Sequence, residues 1–121
     1  MKPSTSVTVS LVIDCSEPDR LVRFWQELLG GLVNEQTRSS TWVMLEGVPS
    51  LGYLGFQKVP EPKQAKNRVH IDLVVPELAE IVRRAVGHGG MVSGSVVEEP
   101  TNWFQVMQDP EGNEFCFVQF K

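Results

Sequence analysis

The strongest constraint in this sequence is that one order of secondary-structure signals occurs twice. Residues 7–13 are rich in β-branched side chains and predict a strand, and apolar residues then recur at helical spacing until Gly30 and Gly31. The same succession begins again with a strand at residues 69–75 and a helix that stops at Gly87. Because each half alone would leave one apolar sheet face uncovered, the repetition predicts two modules of one fold.

Each module has the signals of one helix and several strands. In the first, Ser16 is the predicted helix N-cap and Pro18 lies in the first turn, while strands are predicted at residues 41–45 and 51–59 with a weaker one at 32–36. In the second, Pro76 is predicted to open the helix. Strands of the second module are predicted at residues 92–97, 103–108 and 114–120, the last one after a turn at 109–112.

The two halves can be superposed on their helices. A constant spacing of 57 residues pairs Leu21 with Leu78 and Trp25 with Val82, and Trp42 then corresponds to Trp103. The predicted fold class is α+β, with two tandem βαβββ modules that form a cupped mixed sheet with helices outside. Module one is placed at residues 5–59, a linker at 60–67 and module two at 68–121, all within one domain.

Composition and charge exclude several classes of protein. A hydrophobic content of 41% with 21% charged residues is typical of globular domains, and no apolar run approaches the roughly 20 residues that cross a bilayer. The net charge of −4 and the pI near 5.1 argue against binding nucleic acid, which requires a surplus of Lys and Arg. Two isolated cysteines and the lack of a signal-peptide pattern predict a cytoplasmic location.

A short basic stretch is the local exception to the acidic balance. Lys58, Lys63, Lys66 and Arg68 stand against the single acid Glu61. Interspersed prolines predict a solvated linker, and the alternative is an anchor for an anionic ligand or partner.

Three segments carry a family resemblance: residues 12–14 with the helix containing Phe24 and Trp25, residues 68–73, and residues 109–115. They resemble the vicinal oxygen chelate superfamily, which includes glyoxalase I, extradiol dioxygenases and bleomycin-resistance proteins. The chain is most similar to short, single-domain glyoxalase-like members. The resemblance covers essentially the whole chain and implies the glyoxalase/bleomycin-resistance fold.

The resemblance also implies where a metal would be bound. Metal enzymes of this superfamily place one ligand near the start of each module's first strand and one on each module's last strand. The carried-over positions are Val7, which has no donor atom, then Gln57, His70 and Cys116, a thiol where a carboxylate is expected. The sequence therefore predicts no intact metal site and no cofactor, with a divalent metal held by His70, Cys116 and Gln57 as the alternative.

His70 and Asp72 are the candidate catalytic residues. Side chains two apart on a strand share a face about 7 Å apart, so Asp72 could orient the His70 imidazole or raise its pKa. The alternative is that the two only satisfy each other structurally. Cys116 beside His70 could act as a thiolate nucleophile, although a strand cysteine is more often a buried apolar residue. The candidate substrate-binding residues are Trp42, Tyr53, Gln57, Trp103, Gln105 and Cys116, with Met107 as a weaker one.

These observations predict a metal-independent protein that binds a small, partly aromatic or apolar molecule in the cupped sheet and forms a homodimer. The first alternative is a metal-dependent lyase, isomerase or dioxygenase of the same superfamily that uses His70. The second is a domain whose cup is filled by side chains and which only mediates protein association. No phosphate-binding loop, GxSxG elbow or HExxH helix occurs, so the sequence gives no support for phosphoryl transfer, serine hydrolase or zinc protease chemistry.

Overall fold

The computed structural model describes residues 7–121, and the chain divides into two compact units between Pro62 and Lys63. The division falls inside the segment predicted as a linker. Residues 5 and 6, where module one was predicted to begin, lie outside the described residues. No helix within residues 7–121 is long and apolar enough to cross a membrane.

The first unit consists of one helix on a four-stranded sheet. Its elements in chain order are β1 (Leu11–Cys15), α1 (Pro18–Leu29), β2 (Leu32–Val33), β3 (Trp42–Glu46) and β4 (Leu54–Lys58). The strand order in the sheet is β1-β4-β3-β2, with β1 parallel to β4 and the other neighbours antiparallel. This is one βαβββ module.

The second unit repeats this topology. Its elements are β5 (Ile71–Val74), α2 (Leu78–Gly87), β6 (Met91–Glu98), β7 (Asn102–Gln108) and β8 (Glu114–Phe120). The strand order is β5-β8-β7-β6, and again only the first pair is parallel. The α+β class and the tandem duplication predicted from the sequence are confirmed, and the predicted bounds of the last strand agree with β8.

Both helices begin one or two residues later than predicted. The N-cap of α1 is Glu17 rather than Ser16, and its side chain makes no capping hydrogen bond. Because Pro18 sterically excludes the helical conformation from the residue before it, the helix cannot start earlier. In the second unit the N-cap is Glu77, and the side-chain oxygen of Gln119 on β8 accepts a hydrogen bond of 2.7 Å from the Leu78 backbone N–H.

The structure corrects the predicted alignment of the modules. The helix N-caps Glu17 and Glu77 are sixty residues apart, as are the first strand residues Leu11 and Ile71, so the predicted spacing of 57 is wrong. Helical side chains three residues apart lie on the same face, and an error of three residues therefore keeps the apolar stripe in phase. The stripe predicts the helix but does not fix its register against the other module.

The predicted equivalence of Trp42 and Trp103 is also wrong. Trp42 is the register partner of Gln57, and Phe104 is the register partner of Val118. The first residue of β1 pairs with Leu54, and Gln57 lies three residues after Leu54. The first residue of β5 pairs with Phe115, and Val118 lies three residues after Phe115. Trp42 is therefore equivalent to Phe104, and the two tryptophans lie on opposite faces of their respective sheets.

One face of each sheet forms the core with the helix. In the first unit the fully buried strand residues alternate with more exposed ones, and the residues at equivalent positions of the second unit are buried as well. The buried strand side chains are Cys15, Val43, Leu45, Leu54, Phe56, Gln105, Met107, Phe115 and Phe117. From α1, Leu21, Val22, Phe24 and Trp25 are buried, whereas in α2 only Leu78 and Ala85 are. The second helix thus contributes smaller side chains to its core.

The β7–β8 turn explains the terminal motif of the sequence. Asp109 is 1% exposed, and its Oδ1 accepts hydrogen bonds from the backbone N–H groups of Glu111 and Asn113 at 2.9 and 3.0 Å. The Asn113 side-chain amide also donates to both Asp109 carboxylate oxygens. Gly112 has a positive φ of 85°, which glycine adopts without steric cost. The motif therefore encodes a turn rather than a catalytic group.

Strand β1 starts four residues later than predicted. Val7 and Val9 are exposed, and regular pairing with β4 begins at Leu11. Their β-branched side chains favour an extended backbone, and the Val9 carbonyl accepts a hydrogen bond of 2.7 Å from the Gly52 N–H. Strand β4 begins only at Leu54, so the regular ladder does not extend over residues 7–10.

The alternation of buried and exposed positions on β8 gives a matched test of the core. Phe117 is fully buried and Phe120 is 58% exposed on the same strand. We expect Phe117→Ala to lower the free energy of unfolding by about 3–5 kcal/mol, because a large buried side chain is removed. Phe120→Ala should change it by less than about 1 kcal/mol. Urea unfolding measures both, and equal losses would contradict the assignment of the two faces.

Candidate functional site

The face of each sheet opposite its helix carries most of the side chains predicted to bind a ligand. We call these the open faces. The open face of the first sheet includes Trp42, Met44 and Gln57, with Tyr53 just before β4. The rings of Trp42 and Tyr53 meet edge to face, with centroids 6.0 Å apart. Three of the predicted binding residues are thereby placed on one surface.

Gly55 makes room for the Trp42 ring on this surface. A Cβ at Gly55 would overlap the six-membered ring of Trp42, so only glycine permits the indole to lie across β4. Gly55 is equivalent to Cys116 of the second unit. Gly55 follows Leu54, the partner of the first residue of β1, and Cys116 follows Phe115, the partner of the first residue of β5. Sequence reasoning missed Gly55, since a glycine within a strand signals a close approach without naming its partner.

The open face of the second sheet forms a pocket of about 330 Å³. Its floor is apolar, with an aromatic ring from β7 and another from β8. Carboxylates and an amide stand around this floor. The lining residues are Asp72, Glu99, Asn102, Phe104, Cys116, Val118 and Phe120. Of the predicted site residues, Asp72 and Cys116 are brought together here.

The Cys116 thiol is held in its protonated form. Partial burial raises its pKa, the negative charge of Asp72 raises it further, and the more weakly felt charge of Lys66 lowers it. Asp72 and Cys116 are register partners on β5 and β8, which explains the interaction. A raised pKa opposes formation of a thiolate, so the geometry does not favour Cys116 as a nucleophile.

His70 is not bonded to the carboxylate predicted to assist it. It immediately precedes β5 and is exposed, as is Asp72. Within residues 7–121, no hydrogen bond or ion pair joins the His70 imidazole to the Asp72 carboxylate. The structure thus shows neither the predicted acid–base pair nor the alternative in which the two residues satisfy each other.

The segment before His70 is anchored to β8 by Glu114. The Glu114 carboxylate accepts a hydrogen bond of 2.7 Å from the Asn67 backbone N–H and forms an ion pair of 2.8 Å with Lys63. Burial alone would raise the Glu114 pKa, but the Asn67 N–H and the Lys63 ammonium together lower it below its ordinary value. The basic stretch is therefore not wholly solvated, because Lys63 is paired within the second unit.

Trp103 and Gln105 do not reach the pocket. Both have the strand parity of the buried Met107 and so face the helix side of the sheet. The Gln105 amide donates to the carbonyl oxygens of Ser93, Gly94 and Val106 at 3.4, 3.2 and 2.9 Å, bridging the irregularity in β6. Gln105 therefore supports the sheet, and Trp103 is packed by the Lys121 ammonium, 5.0 Å from its ring centroid.

Four positions decide whether the chain could bind the metal ion of the superfamily's enzymes: one near the start of each module's first strand and one on each module's last strand. Counting back from the helix N-caps, the equivalent of His70 is Ser10, not Val7, and the equivalent of Cys116 is Gly55, not Gln57. Ser10 Oγ accepts a hydrogen bond of 3.1 Å from the Tyr53 backbone N–H, and Gly55 offers no donor.

The two second-unit positions, His70 and Cys116, add one imidazole and one protonated thiol. A catalytic ion normally keeps three protein ligands, and these four positions supply two, the His70 imidazole and the Cys116 thiol, since Gly55 has no side chain and Ser10 Oγ accepts a backbone hydrogen bond. Across residues 7–121, no group of three or more His, Cys, Asp or Glu side chains is arranged to hold an ion. The residues present do not fit a metal of this type.

Comparison with solved structures defines the class of protein. A glyoxalase/bleomycin resistance protein/dioxygenase family enzyme from Burkholderia phytofirmans PsJN aligns with a TM-score of 0.77 at 17% identity, over 93% of this chain and 97% of that one. A glyoxalase-related enzyme from Fulvimarina pelagi aligns with a TM-score of 0.74 at 13% identity, over 95% and 88%. At such identities the likeness shows the fold, which is the glyoxalase/bleomycin-resistance fold.

The family follows from the sequence match. A family model described as a glyoxalase-like domain matches residues 10–118, nearly the whole chain. This chain belongs to the glyoxalase-like domain family, within the vicinal oxygen chelate superfamily. A search of curated proteins gives no match.

The influence of Asp72 on Cys116 can be measured directly. Asp72→Asn removes the negative charge that raises the Cys116 pKa, so the thiolate fraction should increase. We expect alkylation of Cys116 by iodoacetamide at pH 8 to become about two- to fivefold faster. Peptide mass spectrometry follows Cys116 separately from the buried Cys15.

Asp14→Asn, which changes an exposed carboxylate of the first unit, is the matched control and should leave the alkylation rate unchanged. An unaltered rate in Asp72→Asn would show that the carboxylate does not act on the thiol.

Proposed function

We propose that this protein binds a small, partly aromatic or apolar molecule on the open face of its second sheet, without a catalytic metal. The observation that carries the proposal is the pocket of about 330 Å³, whose floor is formed by Phe104, Val118 and Phe120. Ligand sites are typically concave, mostly apolar and equipped with a few polar groups, and their volumes begin at about 300 Å³. This pocket has a volume near the lower end of that range, and it combines apolar side chains with two carboxylates and an amide.

The first unit supports the proposal with a second aromatic surface. Trp42 and Tyr53 form an edge-to-face pair on an open face, and a planar ligand can stack on such rings. Because Gly55 has no Cβ, the indole has room to lie across β4. We propose Trp42, Tyr53 and Gln57 as further ligand-binding residues.

The rival function is a metal-dependent lyase, isomerase or dioxygenase that uses His70. The exposed imidazole of His70 favours it, because a solvent-accessible imidazole can bind a metal ion. The other three positions at which the superfamily places metal ligands oppose this function. Gly55 has no side-chain donor, and the Ser10 hydroxyl accepts a hydrogen bond from the Tyr53 backbone N–H. A cytoplasmic location is part of the proposal and stays a prediction.

Filling the pocket tests ligand binding. Val118→Trp should place an indole over the floor, and we expect it to abolish binding of phenylbutanol and indole. The native chain should bind one of these probes with a dissociation constant of about 1 mM or below, measured by isothermal titration calorimetry. Val86→Trp changes a valine that is 47% exposed on α2 and is the matched control. If Val118→Trp does not fold, Phe104→Ala, which removes one ring of the floor, replaces it.

Elemental analysis of the same preparations separates the two functions. Protein purified without chelator should contain well under one metal ion per chain. A stoichiometric ion that is lost in His70→Ala would favour the metal enzyme.

We also propose a homodimer, supported by the character of β6. This outermost strand of the second sheet is exposed along all eight residues and carries Met91, Val92, Val96 and Val97. An outer strand presents unpaired backbone groups, and proteins usually protect such strands with lysine or proline, neither of which occurs in β6. A second copy of the chain would cover this apolar edge.

A lysine in β6 tests this assembly. Val96→Lys should convert a dimer of twice the 13.5 kDa chain mass to a monomer, because it places a charge on the apolar edge. Light scattering after size-exclusion chromatography measures the mass, and circular dichroism confirms the fold. Val86→Lys on α2 is the control with similar exposure. A native chain that is monomeric at all concentrations would contradict the proposal.

A further inference from the structure

The pocket on the second sheet has an apolar floor but an acidic surround. Asp72 and Glu99 contribute two carboxylates, and none of the lining residues is Lys, Arg or His. Phe104, Val118 and Phe120 form the apolar part. A ligand suited to this pocket therefore combines an apolar body with a positively charged group.

The two carboxylates are held differently. Glu99 precedes the turn between β6 and β7, where its backbone exchanges hydrogen bonds with Asn102 and its Oε1 accepts one of 3.2 Å from the Asn102 side-chain amide. Asp72 is fixed by its position on β5 and is exposed, and within residues 7–121 its carboxylate has no ion pair. Its charge is thus available to a ligand.

The charge balance at the pocket floor is negative. Asp72 raises the pKa of the Cys116 thiol more than Lys66 lowers it, so the floor experiences the carboxylate more strongly than the ammonium. The Lys121 ammonium is paired with Glu98 at 2.7 Å and lies over the ring of Trp103, which faces the helix side of the sheet. A cationic group on the ligand would meet a favourable potential at this position.

The aromatic part of the floor favours the same class of ligand. Phenylalanine rings attract cations at their faces, and ammonium groups with apolar substituents gain both this attraction and apolar burial. The cavity volume of about 330 Å³ lies at the lower end of ligand sites, which limits the occupant to about one ring with a short chain.

From this geometry we propose that the natural ligand of the pocket is a small organic cation, an amine with an apolar or single-ring body, whose charged group is recognised by Asp72 with Glu99 beside it. This inference rests on the proposed function, since it names the chemical class of the molecule bound at the same site. Asp72 is accordingly a specificity-determining residue, and the apolar floor supplies affinity that does not depend on charge.

Three probes of one shape test the proposal. Phenylbutylamine is protonated at pH 7, phenylbutanol is neutral and phenylbutyrate is anionic. Calorimetry on the full chain should give the tightest binding for the amine and the weakest for the carboxylate. Asp72→Asn should weaken the amine about fivefold and leave the alcohol unchanged, because only the charge interaction is lost. Raising the salt concentration on the native chain should reduce the preference for the amine in the same direction.

Glu80→Gln, which changes an exposed carboxylate on α2, is the control and should alter none of the affinities. Should Asp72→Asn fail to fold, the salt dependence of the native preference gives the same answer. Equal affinities for amine and alcohol, or an equal loss of both in Asp72→Asn, would overturn the cation proposal while the proposed binding function stands. If none of the three probes binds, both proposals fail.

Discussion

The structure depends on the packing of one amphipathic helix against one face of each four-stranded sheet. Strand side chains alternate between faces, so burying Val43, Leu45, Leu54 and Phe56 under α1 commits the intervening residues to the other side. The same constraint acts in the second unit. The open faces, and with them every group that can meet a ligand, are what remains after the core has been formed.

The two units have one topology but different chemistry at equivalent positions. Where the first unit has Gly55 beneath the Trp42 ring, the second has Cys116 beside Asp72. An indole covers the backbone in one case, and a pocket lies over the strand in the other. Equivalent strand positions therefore carry an aromatic surface in one unit and a cavity lined by carboxylates in the other, so the duplicated fold is asymmetric at these positions.

Much of the fold could be predicted, because apolar spacing reports directly on which face of an element is buried. The predicted bounds of β8 agree with the structure, and the other elements are displaced by a few residues at one or both ends. The register between modules could not be predicted in the same way. A shift of three residues preserves a helical stripe. The positions carried over from the resemblance as equivalents of His70 and Cys116 were Val7 and Gln57, whereas the strand register gives Ser10 and Gly55.

The candidate site was less predictable than the fold. Trp42, Tyr53 and Cys116 were selected as chemically capable residues, and strand parity places them on open faces. Trp103 and Gln105 were equally capable by residue type, yet they face the helix side. Gly55 and Glu99 were missed, because neither residue type signals a ligand until its neighbours are known.

The sequence by itself determined the duplicated βαβββ order, the two helices and the turn built by Asp109, because these follow from local periodicity and short-range hydrogen bonds. Only the tertiary structure decided which face each strand residue occupies, which strand residues are partners and which carboxylates surround the pocket. Those properties depend on hydrogen bonds between strands far apart in the chain, and a displacement of a single residue in such pairing moves a side chain to the opposite face of the sheet.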